Sequence, residues 1–260
     1  VFSAIDFEDD VTAAVQASTK TSIENLVNQL AVIAFSIEFA DPVDTFIETD
    51  LFYQINPDLT PLSTNSITTS IKTVVADYFT LNTGKFKKSF RRSALLTLVD
   101  EVSSAVLSSR AIIRMQQRIT PTLNVSNSFT LTFPSTIAIP AAKAVPTDAD
   151  FVVKSNSFTV DGQTCRIVNE QAPNVATTKL QIVASGTGTI IVDNIGSYST
   201  TTGILSIVGF TPNGLLGGET FIKISATPAN QSAIVPERNN IINYDPDAST
   251  FTAVATEADY

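Results

Sequence analysis

The pattern of apolar and polar positions changes character near residue 120. Before it, two periods mix. Ile23, Leu26, Val27, Leu30 and Ala34 recur at helical spacing just after Thr21 and Glu24, which have the spacing of a capping box. This predicts an amphipathic helix over 21–35. Over 43–56 the period falls to two: Val43, Ile47, Leu51, Tyr53 and Ile55 alternate with Asp44, Glu48, Asp50, Gln54 and Asn56. Phe46 and Phe52 interrupt the polar side. That is a long, half-buried strand, ended by Asn56-Pro57-Asp58 and Pro61. Ile67, Ile71, Val74, Val75 and Tyr78 predict a second helix that stops at Asn82-Thr83-Gly84. A third helix, capped by Ser89 or Ser93, carries Leu95, Leu98, Val99, Val102 and Val106, with Asp100 and Glu101 mid-helix on its solvated face.

A second long strand is expected over 110–119. Arg110, Ile112, Arg114, Gln116 and Arg118 share one face, and Ala111, Ile113, Met115 and Ile119 the other. Short connections make the two long strands antiparallel. If they pair, the Asp44, Glu48 and Asp50 face meets the arginine face. Such cross-strand charge pairs set register more than stability, at a few tenths of a kcal/mol each. After residue 121 the strand signals become short and frequent. Phe129–Phe133 alternates cleanly, and 179–184, 188–192, 203–209 and 219–226 are further runs. Asp161-Gly162, Pro212-Asn213-Gly214 and Gly217-Gly218 read as turns, and nine of the ten glycines lie in this half. The fold class expected is α+β: an N-terminal helix and a strand-helix-helix-strand subdomain in 1–120, then a mostly antiparallel sandwich or open barrel in 121–260. The string Ser-Asn-Ser-Phe-Thr occurs at 126–130 and again at 155–159, which hints at a duplicated hairpin.

Composition narrows the chemistry. The 260 residues include no histidine, no tryptophan and one cysteine, Cys165. Without histidine there is no Ser-His-Asp triad, no Cys-His pair and almost no zinc site. A lone cysteine forms no internal disulfide, which fits folding in a reducing cytoplasm; Cys165, in a strand-like run beside Arg166, reads as a buried structural residue. The longest apolar run, Ala31–Phe35, is far from membrane-spanning length, and no signal peptide opens the chain. The only methionine, Met115, is internal, so a processed product or a fragment of something longer is expected.

Charge is unevenly placed. The net charge is −9, which argues against a nucleic-acid surface over the chain as a whole. Residues 85–118 nevertheless hold eight of the sixteen basic residues and only two acids, leaving eight basic and twenty-three acidic residues elsewhere. Lys85, Lys87, Lys88, Arg91 and Arg92 form a dense patch at a helix start, where the helix dipole favours acids instead. With Arg110, Arg114 and Arg118 they are the candidate interface residues. Gly84–Ser89 lacks the first glycine of a phosphate-binding loop and is rejected as one. Asp245-Pro246-Asp247 offers too few oxygens for calcium and reads as a turn; the Asp6, Glu8, Asp9, Asp10 cluster reads as a solvated terminus. No cofactor, metal or catalytic set is expected. Paired carboxylates for glycoside hydrolysis need no histidine and stay open from sequence, as the least favoured option.

A resemblance sharpens this. Asp193–Ile207, with an aromatic, a polar turn and then Gly-Ile-Leu, resembles a hairpin common in phage tail proteins. Ile222-Lys-Ile-Ser-Ala-Thr-Pro228, followed by Ile234-Val-Pro-Glu-Arg-Asn-Asn-Ile-Ile-Asn-Tyr244, resembles the C-terminal end of the baseplate wedge proteins of T4-like contractile-tailed phages, relatives of the baseplate J family. The unit at 43–119 is similar to the J-like core. The resemblance covers roughly 20–260, most strongly 110–260. It implies a non-enzymatic virion component assembled in the host cytoplasm. Its members bracket the inner baseplate ring, occur as paired copies within a wedge, link wedges through both ends and contact other wedge proteins. They follow the baseplate's change of shape on infection and are longer than this chain. The partners implied are a second copy (a homodimer) and other wedge proteins, with no nucleic acid and no direct membrane insertion. The alternative is a β-rich surface adhesin or carbohydrate-binding module, which the lack of tryptophan and of clustered acids weakens.

Overall fold

The computed structural model describes residues 5, 7, 11–30, 39, 41–143, 146–171, 177–236 and 239–255. Along them run α1 (Ala13–Leu30), β1 (Val43–Ile55), α2 (Thr64–Asn82), β2 (Phe90–Arg91), α3 (Arg92–Asp100), β3 (Val106–Ile119), β4 (Asn127–Thr132), β5 (Val153–Ser155), β6 (Phe158–Val160) and β7 (Gln163–Asn169). There follow β8 (Lys179–Ala184), β9 (Ile190–Tyr198), β10 (Ile204–Phe210), β11 (Gly214–Leu215), β12 (Ile222–Ala226), β13 (Ala233–Ile234), β14 (Asn240–Tyr244) and β15 (Thr250–Ala255). This is the α+β arrangement expected, with a mostly antiparallel C-terminal half.

The two long strands pair antiparallel, as their alternation predicts, with Glu48 opposite Arg114 and Phe52 opposite Arg110. Odd-numbered residues of both strands point to one face, and there α2 and α3 cover them. Ser63 accepts from the Ser66 N–H at 3.2 Å and starts α2, whose Ile67, Ile71, Val75, Tyr78 and Phe79 are buried at helical spacing. They share a core with Ile47, Leu51, Tyr53, Ile113, Met115, Leu95 and Val99. Thr83 and Gly84 end the helix; Gly84 adopts φ +78° and donates its N–H to the Ile242 carbonyl at 2.7 Å.

That last bond shows how the chain's far end is held. β1 takes β3 on one side and, on the other, β14 and then β15, both in parallel. Strand β12 pairs with the other edge of β3. The β1–β3 pair is thus flanked on both sides by strands from beyond residue 220. The path β14-β1-β3-β12-β5-β7-β8-β9-β10-β4 belongs to a thirteen-stranded sheet among the described residues. The sheet curls: Gln117 on β3 donates to the Thr132 carbonyl on β4 at 2.8 Å, and Ile137 bridges Pro228. This return is what gives the C-terminal half its open-barrel character.

Several local expectations are corrected. Helix α1 begins at Ala13, because Ala13, Ala14 and Ala17 are strong helix formers and Thr12 supplies the cap, its hydroxyl 3.4 Å from the Val15 N–H. Thr21 is therefore mid-helix, no capping box starts there, and no residue of α1 with a described side chain is buried. The expected continuation over 31–35, like the acidic cluster at 6–10, lies outside the described residues. Helix α3 is capped by neither Ser89 nor Ser93. Pairing of Phe90–Arg91 with Ala233–Ile234 delays the helix, so Arg91 occupies the N-cap position and makes no side-chain cap bond. The helix ends at Asp100, so Asp100 and Glu101 close it rather than lie mid-helix; Val102 falls in a turn and Val106 opens β3. The two Ser-Asn-Ser-Phe-Thr strings are not a duplicated hairpin: the first runs into the single strand β4, the second spans the break between β5 and β6.

Candidate functional site

The alternation of β3 puts Arg110, Arg114, Gln116 and Arg118 on the sheet face opposite the helices. There the register brings carboxylates to them. Arg114, 6% exposed, forms an ion pair with Asp50, which also accepts from the Thr250 hydroxyl at 2.8 Å. Gln116 is fully buried, and its Nε2 donates to Glu48 Oε1 and to Asp245 Oδ2, both at 2.8 Å. Ser225 on β12 donates to the same Glu48 oxygen. Arg118 donates from Nε to Gln116 Oε1 and from its terminal nitrogen to Asp245 Oδ2, each at 3.1 Å. Its guanidinium lies 3.7 Å from the Phe46 ring centre and 4.5 Å from that of Phe221. Lys223 Nζ reaches Asp245 Oδ2 at 3.0 Å. Arg110 lies over Phe52 at 4.2 Å.

Asp245 is the hub of this centre. Asp245-Pro246-Asp247 is a turn, as expected: Asp245 Oδ1 accepts from the Asp247 and Ala248 N–H groups, each at 3.2 Å. Burial pushes its carboxyl up, but the hydrogen bonds from Gln116 and Lys223, the Lys223 charge and the Ala248 N–H outweigh that and hold it below the usual carboxylate value. The centre joins β1, β3, β12 and the β14–β15 turn. Sequence reasoning missed it as a unit. Its β1–β3 part was legible, since the alternation already set Glu48 and Asp50 against the arginine face; the arrival of Asp245 and Ser225 was not. Glu48 and Asp245, both buried, accept internal donors and are held as structural carboxylates rather than as an exposed acid–base pair.

The other half of the basic stretch lies elsewhere, between the end of α2 and the first turn of α3. The structure does not bring the two groups together. Among the described residues Lys85, Lys87, Lys88 and Arg91 make no ion pair and no side-chain hydrogen bond; Arg92 reaches only the Ala111 carbonyl, at 3.5 Å. The elements that hold the loop carry an aromatic cluster. Phe79 stacks on Tyr244 at 4.1 Å and on Phe90 at 5.6 Å, and Tyr78 meets Phe90 edge-on at 6.1 Å. The Tyr78 hydroxyl accepts from the Arg91 N–H at 2.9 Å and donates to the Arg91 carbonyl at 3.0 Å. Burial pushes that phenol up, against the opposing pull of the Arg91 backbone bond and charge.

Cys165 is fully buried on β7, and burial pushes its thiol up; the neighbouring Arg166 turns instead to Asp148. Among the described residues there is no group of three or more side chains fit to hold a metal ion, and no helix is long and apolar enough to cross a membrane.

Residues 45–118 match the family described as baseplate structural protein gp6, C-terminal domain III, which is consistent with a baseplate wedge protein of T4-like phages. The matched stretch takes in nearly all of the β1–α2–α3–β3 unit, whereas the resemblance read from sequence was strongest in 110–260. No curated protein matches the chain.

Proposed function

We propose that this chain, whose β1–α2–α3–β3 unit is matched by the gp6 C-terminal domain III family, is a non-enzymatic structural component of a phage tail baseplate. On this reading it is a wedge subunit, assembled in the host cytoplasm, that self-associates and contacts other wedge proteins around the inner ring. The observation that carries the reading is the coincidence of the match with nearly all of one structural unit, most of both long strands and both covering helices included. The use of Asp50 and Asp245 as internal counterions, and of Glu48 as the acceptor for Gln116 and Ser225, supports a structural role further. Of the eight candidate interface residues, Lys85, Lys87, Lys88, Arg91 and Arg92 are the ones we assign to an outward contact. Arg110, Arg114 and Arg118 stabilise the subunit itself. The test is the solution mass of the chain by light scattering across a concentration series at two salt levels. A dimer is expected. A monomer at every concentration overturns self-association through this chain.

A further inference from the structure

The loop between α2 and α3 combines three features that each disfavour it and that no described residue offsets. Lys85, Lys87, Lys88 and Arg91 crowd like charges without an ion pair. Arg91 is the N-cap residue of α3, and Lys87 and Lys88 share a pocket with Ala94 in its first turn, where the helix dipole disfavours cations, the N-cap position has no side-chain acceptor and the first turn has no acid. Lys87 is held at φ +65°, a left-handed conformation that suits Gly or Asn and strains a lysine. All three converge on one open pocket of about 290 Å³, lined by Tyr78, Asn82, Lys87, Lys88, Ser89 and Arg91. The Ser89 hydroxyl makes no hydrogen bond within the described residues, so the pocket holds three cations and a free hydroxyl beside the Tyr78 ring. No described residue satisfies the charges, the helix end and the hydroxyl together, and an external anion does.

We propose that this pocket is a socket for a carboxylate-rich segment of a neighbouring protein subunit. A nucleic-acid backbone fits less well. Outside residues 85–118 the chain carries twenty-three acidic against eight basic residues, so a long phosphate track meets repulsion on leaving the patch, whereas a short acidic segment does not. This deepens the interface reading above and rests on it only for the neighbour being a protein.

The test uses the full chain and fluorescein-labelled hexaglutamate, followed by anisotropy. Saturable binding is expected, weakening about tenfold between low and physiological salt. The double variant Lys87→Asn with Lys88→Gln removes two cations while suiting the left-handed backbone, and should weaken binding about tenfold with the thermal midpoint unchanged or raised. Lys143→Gln, whose lysine already pairs with Asp150, should leave binding unchanged. Absence of hexaglutamate binding, or equal binding by the double variant, overturns the socket. Tighter binding of an oligothymidylate of equal charge overturns it in favour of nucleic acid. Light scattering on the same variant separates the two readings. A dimer that persists while peptide binding is lost makes the neighbour a different subunit. A dimer lost with it makes the neighbour a second copy. A dimer that forms although the wild-type chain ignores hexaglutamate overturns the socket alone.

Discussion

Residues 85–92 and 110–118 carry the same kind of charge within one short stretch, and the fold treats them in opposite ways. On β3, Arg114 and Arg118 meet Asp50, Asp245 and Gln116 and stack on Phe46 and Phe221. In the α2–α3 loop, Lys85, Lys87, Lys88 and Arg91 meet no carboxylate among the described residues. The difference is one of register. A strand two residues in period places every second side chain against a partner strand, so Glu48 and Asp50 on β1 are delivered to the arginine face by pairing alone. A loop has no such partner, and its sequence neighbours are of the same sign. Charge on a strand face is therefore absorbed by the fold, while charge in the loop stays outside it.

That contrast can be broken from either side. The largest effect is expected at Asp245. Asp245→Ala leaves Lys223, Arg118 and the Gln116 amide without their shared acceptor in a buried site, and should cost about 3 kcal/mol or more by urea unfolding. A fall below about 1 kcal/mol would mean that the centre is wet and its bonds replaceable. Arg114→Leu comes next, at about 2–3 kcal/mol, since Asp50 keeps only the Thr250 hydroxyl. Acid should find the same centre. Because the folded Asp245 pKa lies below its unfolded value of about 3.9, its contribution is complete above about pH 5 and is lost as pH falls through 3.9 to the depressed folded value. The urea midpoint of Asp245→Asn should therefore fall less steeply over that window than the wild type's. Phe46→Leu, which removes one stacking face of Arg118, should cost about 1 kcal/mol. The smallest effect, and of opposite sign, is expected in the loop. Lys87→Asn should leave stability unchanged or raise it by up to about 1 kcal/mol, because it relieves both like-charge repulsion and the left-handed lysine. A clear loss there would show that the lysine has an internal role.

Elements with a strong local period were legible. The expected 43–56 and the observed Val43–Ile55 differ by one residue, and 179–184 is β8 itself. The period of two in β1 is strong enough to survive Phe46 and Phe52 on its polar side, and the antiparallel pairing with β3 follows from the short connections through the two helices between them. Helix starts were less legible. Thr21 and Glu24 have the right spacing for a cap, yet the alanines upstream carry the helix past them; Ser89 and Ser93 are good caps, yet pairing of Phe90–Arg91 with Ala233–Ile234 sets where α3 begins. In each case a nearby or distant stretch outweighed a cap worth about 1 kcal/mol. Of the candidate interface, all eight cations were visible as charges. Their division into two sites was not, because a charge count carries no information about which carboxylate lies opposite.

The sequence by itself determined the strand-helix-helix-strand order, the polar and apolar sides of its two long strands, the absence of histidine chemistry and the position of the basic stretch. These are properties of neighbouring residues and their period. Tertiary structure alone decided that β14 and β15 add in parallel to β1, that Asp245 returns from 129 residues beyond Gln116 to share its amide with Glu48, and that the loop lysines are left without counterions among the described residues. Those outcomes depend on contacts between distant segments, which are selected by burial of the whole sheet rather than by any local preference.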